Sequence, residues 1–179
     1  MSGVESNAQD DTQIHVAQLL QEQVGSVRQR RIAVVSLPLD DELTAYGIAA
    51  DTRLTRIPTG VLAKGRVTAT VRTQCIRCLE DFDQPVAVEF ADEYRPTIDI
   101  MTGGEIAARE VDVEDDYFPI SDIHVIDLRE GLRQAIVLEL PMAPLCREDC
   151  PGLPEAVALS GGTDARLAVL GRLLVDESE

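Results

Sequence analysis

Along GRVTATVRT, Val67, Ala69 and Val71 alternate with Arg66, Thr68, Thr70 and Arg72. Period-two alternation predicts a strand with one buried and one solvated face. PVAVEFADEY repeats the pattern, with Val86, Val88 and Phe90 inward. The simplest arrangement is two neighbouring antiparallel strands joined by CIRCLEDFDQ, which places Cys75 and Cys78 at the tip. Earlier, RIAVVSL predicts a strand at about 31–37 closed by Pro38, and DDELTAYG reads as a turn or short helix. Helical spacing appears twice more clearly. IHVAQLLQEQVG puts Val16, Leu19 and Leu20 on one face with Gly25 as a stop, and IDLREGLRQAIVLELP repeats Leu128, Leu132, Ile136 and Leu140 every four residues. Asp127 and Glu130 have the spacing of a capping box, Gly131 lowers helix propensity, and Pro141 ends the helix.

The remaining segments are less regular. Residues 1–12 read as a disordered polar leader, which leaves 13–179 as a single domain. EVDVEDDYF offers Val111, Val113 and Tyr117 as inward positions of an acidic edge strand, whose charge would discourage pairing with other edges. TDARLAVLGRLLV predicts a terminal helix capped by Thr163 or Asp164. The fold class expected is α+β: an antiparallel sheet or open barrel, a long helix packed on it, and a C-terminal helix.

Composition adjusts this picture. Aromatic residues make up 3% of the chain and Trp is absent, so the core must be aliphatic and stacking platforms for bases are disfavoured. The net charge of −16 is concentrated: residues 79–130 hold 16 Asp and Glu against 3 Lys and Arg. Such a surface repels phosphates and suits a basic protein partner. The first 78 residues are nearly neutral, and Arg28, Arg30, Arg31, Arg53, Arg56, Arg66 and Arg72 offer an alternative direct RNA contact. The N-terminus has neither the basic nor the apolar region of an export signal, and no apolar run approaches about 20 residues. A cytoplasmic location is expected, and with it reduced cysteines.

Cys75 and Cys78 are spaced C-x2-C, and Cys146 and Cys150 C-x3-C, with 67 residues between the pairs. Two close pairs from separate loops suit a tetrahedral zinc site with four thiolate ligands. Unligated thiols, a redox dithiol and a disulfide remain as alternatives. The redox reading calls for a C-x-x-C opening a helix, whereas this pair lies between two predicted strands. His15 and His124 have no nucleophile motif nearby, and the acid pairs Asp40-Asp41 and Asp115-Asp116 occur where charge is dense. Gly103-Gly104 and Gly161-Gly162 lack the Lys and the strand-to-helix setting of a phosphate loop. Nothing in the pattern argues for an enzyme.

With these residues in view, the chain resembles the YceD family of large ribosomal RNA subunit accumulation proteins over about residues 14–174. The likeness rests on TQCIRCLEDFDQPV, IDLREGLRQAIVLELPMAPLC, CREDCPGL and DARLAVLGRL. It implies a non-enzymatic cytosolic factor needed for accumulation of large-subunit ribosomal RNA. Members are typically encoded beside a small large-subunit ribosomal protein, which implies a role in assembly of that subunit. The matched positions are Cys75, Arg77, Cys78 and Leu79, then Cys146, Cys150, Gly152 and Leu153; Arg77 would orient a thiolate, pair with a carboxylate, or stand exposed. Many members continue with a further C-P-x-C-G group, where this chain has GLPEAVALSGG. Four thiols remain, enough for one site.

Overall fold

The structure, a computed structural model, describes residues 12–99, 102, 104 and 117–153. The chain divides into two compact units, one from Met1–Thr73 and Asp83–Met142, the other from Gln74–Phe82 and Ala143–Glu179. In the first unit, β1 (Gln13–His15) leads into α1 (Ala17–Gln21), which buries Leu19 and Leu20 beside Val16, as their helical spacing predicts. Gly25 follows at φ 97, a left-handed backbone that glycine adopts without a Cβ clash. Thr12, assigned to the leader by sequence, is buried, and its carbonyl accepts from the Leu128 N–H at 3.0 Å. The rest of the leader, residues 1–11, lies outside the described residues.

β2 (Val27–Pro38) extends the predicted strand at its start. The turn after it is held by Asp40, whose Oδ1 accepts from the backbone N–H groups of Glu42 and Leu43 at 2.8 and 2.7 Å. This turn is short. β3 (Thr44–Ile57) begins inside DDELTAYG, so Thr44 to Gly47 are strand, against the expected turn or short helix. A bulge explains why the alternation hid it: Tyr46 faces Thr70 while Ala49 faces Thr68, giving β3 one extra residue. Gly47, at φ 60, takes up the kink, and Ala45 and Ile48 both turn inward.

β4 (Gly60–Gln74) and β5 (Asp81–Pro96) are neighbours, and so short a connection forces them antiparallel. Val67, Ala69, Val71, Val86 and Phe90 are buried as their alternation predicts, and Val88 is half-buried. β6 (Phe118–Ile120) pairs with β5 in parallel, so the five-stranded sheet, in the order β2-β3-β4-β5-β6, is mixed rather than wholly antiparallel. β7 (Val125–Asp127) pairs with β1 in a separate two-stranded sheet. The core is mostly aliphatic, with Ile32, Ile48, Leu54, Val61 and Val67 almost fully enclosed, and it includes the aromatic Phe90 and Tyr94, the latter stacked on Phe118 at 5.4 Å. Val111 and Val113 and the predicted C-terminal helix, with Thr163 and Asp164, lie outside the described residues.

α2 (Arg129–Glu139) buries Leu132 and Ile136, with Leu128 just before it and Leu140 partly buried just after. The expected capping box does not form. Asp127 is held in β7 by its pairing with Gln13, so Leu128 becomes the N-cap, without a side-chain bond. Asp127 Oδ1 instead accepts from the Arg129 N–H at 2.9 Å. Glu130 turns to Arg133, at 2.8 and 2.6 Å, and to Gln134, and its carboxyl is held at about 2 by those hydrogen bonds.

Gly131 has a packing reason that offsets its propensity cost: a Cβ there would lie 2.2 Å from Asp92 Oδ2. That oxygen is buried without a hydrogen-bond partner among the described residues, and desolvation raises the Asp92 pKa. Overpacking costs about 1–3 kcal/mol, against about 1 kcal/mol of helix propensity recovered by alanine. Gly131→Ala is therefore expected to destabilise wild type by about 1 kcal/mol, yet to stabilise an Asp92→Ala background, where the clash is gone. Urea unfolding of the four proteins checks the reversal of sign.

Candidate metal centre

The second unit is built around cysteine. Leaving β4, the chain turns tightly: the Cys75 N–H donates to the Glu80 carbonyl and the Leu79 N–H to the Cys75 carbonyl, both at 2.9 Å. Leu79 sits at φ 60, an uncommon backbone for a residue with a Cβ, and this reversal returns the chain to β5. In the other segment, the Cys150 N–H donates to the Arg147 carbonyl at 3.2 Å, and Gly152 follows at φ 82. The two turns are laced together. The Ile76 N–H reaches the Pro144 carbonyl at 3.0 Å, and Arg77 Nη1 donates to the carbonyls of Glu148 and Cys150 at 3.3 and 3.2 Å.

These turns bring all four sulfurs within 4.8 Å of one another. Cys75 Sγ lies 3.8 Å from Cys150 Sγ, and Cys78 Sγ lies 3.8 Å from Cys146 Sγ. All four are free thiols, so the disulfide alternative is not realised. Cys75 and Cys150 are buried, while Cys78 and Cys146 are more open. The electrostatics favour charge on Cys75. Backbone N–H groups of Cys78 and Cys146, then of Arg77, aim at its sulfur and lower its pKa to about 6. Cys146 is pushed up to about 12 by burial and by its thiol neighbours. Cys78 is also raised: the Glu80 amide pulls it down, but burial and the neighbouring Cys75 and Cys150 outweigh that. Four converging sulfurs, one of them ready as a thiolate, form a donor set able to hold a soft metal ion.

Arg77 is exposed, one of the three roles weighed for it, and makes no ion pair with a carboxylate among the described residues. It braces the two cysteine turns through carbonyls, which no sequence pattern specifies because both acceptors are backbone atoms. His15 is exposed; His124 stands at φ 59 with its Nε2 buried and without a partner among the described residues. Asp40 is a turn residue, and Asp115 and Asp116 lie outside the described residues. The arginines of the first half divide. Arg28 pairs with Glu22, Arg72 with Asp83 at 3.4 Å, and Arg56 donates to the carbonyls of Leu20 and Gly60. Arg31, Arg53 and Arg66 stay exposed on one face of the sheet with Lys64, which the arginine count passed over, and Arg30 is exposed on the opposite face, paired with Thr52.

Fold and site together define a largely antiparallel β protein with a compact four-cysteine cluster. A family model described as "Large ribosomal RNA subunit accumulation protein YceD" matches residues 63–174, and the chain belongs to this YceD family. An uncharacterized protein of Mycobacterium leprae is 34% identical over 106 residues, covering 59% of this chain and 45% of its own length. Uncharacterized proteins of Mycobacterium bovis and Mycobacterium tuberculosis are each 34% identical over 103 residues, covering 58% of this chain and 46% of theirs. The chain thus spans a little under half the length of these curated relatives. No solved structure matches it. No helix among the described residues is long and apolar enough to cross a membrane.

Proposed function

We propose that this chain is a non-enzymatic cytoplasmic factor that supports accumulation of large-subunit ribosomal RNA and assembly of that subunit. Its partner is a basic ribosomal protein or assembly factor, and its four cysteines hold a structural zinc ion. The family match carries the ribosomal part of the reading. The acidity of residues 79–130 supports a basic partner, since complementary fields speed association and suppress wrong partners. Free thiols suit the reducing cytoplasm. The structural employment of Asp40 and Arg77 supports a role without catalysis.

Zinc is supported by a geometric coincidence. Four thiolates about 2.3 Å from a shared tetrahedral zinc stand about 3.8 Å apart. Both closest sulfur pairs lie at 3.8 Å. Cys75, Cys78, Cys146 and Cys150 are then the ligands, and the ion's part is to fix the two turns together.

The partner is tested by affinity capture from lysate at low and at high ionic strength. Basic large-subunit proteins or pre-ribosomal particles should be enriched at low salt and lost at high salt, as screening predicts. Absence of any such enrichment at low salt would overturn the reading.

A further inference from the structure

The solvent face of β2, β3 and β4 is basic, opposite in sign to the chain as a whole. Strand register places Arg31 beside Asp51 and Asp51 beside Arg66, with Gln29, Arg53 and Lys64 as the next row. Asp51, the sole acid in these rows, is taken by Arg31 at 2.9 Å. Arg53, Lys64 and Arg66 make no ion pair among the described residues. Like charges on neighbouring strands repel, so the free protein holds an arrangement that a polyanion would relieve.

A groove of about 430 Å³ opens among these residues, lined by Gln29, Arg30, Arg31, Asp51, Thr52 and Arg53. Guanidinium groups meet phosphate oxygens through paired N–H donors, so the same groove supplies charge and geometry for a phosphate.

We propose that this face binds the phosphate backbone of RNA. The proposal rests on the reading that the chain acts in large-subunit ribosomal RNA accumulation, and it adds a direct contact with the RNA. Cations on neighbouring strands stand about 4.8 Å apart and those along a strand about 6.8 Å apart, which lays them out as a track for a polyanion. Thr68 and Thr70 add exposed hydroxyls, and Tyr46, 49% exposed and paired with Thr70, offers a ring for stacking. An acidic protein partner would need apolar anchors at the centre of its interface, and these rows offer charge and hydroxyls instead. The net charge of −16 opposes RNA at long range, so contact is short-range and recognition follows the backbone rather than the bases.

The test uses the purified full chain and fluorescence anisotropy with a transcribed large-subunit RNA fragment, a non-ribosomal RNA of equal length, and polyglutamate. Both RNAs should bind, with a log–log salt slope of about −2 to −3 for three or four phosphates. Arg53→Glu/Lys64→Glu/Arg66→Glu should weaken binding at least tenfold. The corresponding triple Gln variant, which sets no new acid beside Asp51, should weaken it less while retaining the wild-type circular dichroism. Undiminished RNA binding by both variants overturns the proposal, as does tighter binding of polyglutamate than of RNA, which assigns the face to an acidic protein. Ribosomal RNA levels in a deletion strain, measured in parallel, keep the two readings apart. Rescue by the triple Glu variant, with its RNA binding weakened at least tenfold, defeats this face alone; failure of the RNA-binding wild type to rescue defeats the assembly role alone.

Discussion

Protein purified without added metal is expected to carry one zinc per chain, and Cys75→Ser none. Cys75 is the most consequential of the four proposed ligands to remove because it is buried, receives the backbone N–H groups of its turn, and is the thiol closest to ionised at neutral pH. Structural zinc sites bind with apparent free energies of about 10–16 kcal/mol near neutral pH. That is as large as the net stability of a typical domain, about 5–15 kcal/mol. Losing the ion should therefore unfold the second unit's cysteine turns rather than loosen them. Hydrogen exchange reads this directly: the amides of Leu79 and Cys150, protected in the zinc-bound protein, should exchange near the unfolded rate in Cys75→Ser or after chelation. The β3 and β4 amides of the first unit provide the internal comparison. Zinc-free wild type with unchanged protection at Leu79 and Cys150 would defeat the structural role. Reduction of a model disulfide by that protein would point instead to dithiol chemistry.

The cluster was legible because cysteine spacing is a local property: two residues or three between thiols are enough to turn both toward one point. The bracing by Arg77 was not, since its acceptors are carbonyls whose positions exist only once both turns are folded. β3 was hidden for a related reason. Ile48, Ala50, Thr52 and Leu54 do alternate, but the bulge at Gly47 shifts the phase, so Ala45 and Ile48 are buried three positions apart. The Asp127 and Glu130 spacing suggested a cap that the fold overruled by drawing Asp127 into β7. Gly131 looked like a local weakness, yet it clears space for Asp92 on a strand 39 positions away in sequence. Charge behaved likewise. Arginine number in the first half suggested a patch, but only strand register separates Arg53 and Arg66 from Arg28, Arg56 and Arg72, whose partners lie within the protein.

Leu132→Ala is expected to cost about 3 kcal/mol, within the about 2–5 kcal/mol range for a buried leucine replaced by alanine. Leu132 is 0% exposed and belongs to the same core cluster as Ile32, Val34 and Leu37 of β2. Its neighbours lie on strands fixed by their own ladders, so the site has little means of collapsing around the missing atoms. Leu138→Ala is the internal control, because that side chain is 85% exposed on the same helix and should change stability by less than about 0.5 kcal/mol. Sequence alone ranks the two leucines by one argument only, the four-residue stripe of Leu128, Leu132, Ile136 and Leu140, from which Leu138 is excluded. Chemical unfolding of the two variants tests whether that stripe carries the helix. Equal destabilisation would mean that α2 is held by some other face, whereas a difference of several kcal/mol ties it to the core through Leu132 and Ile136.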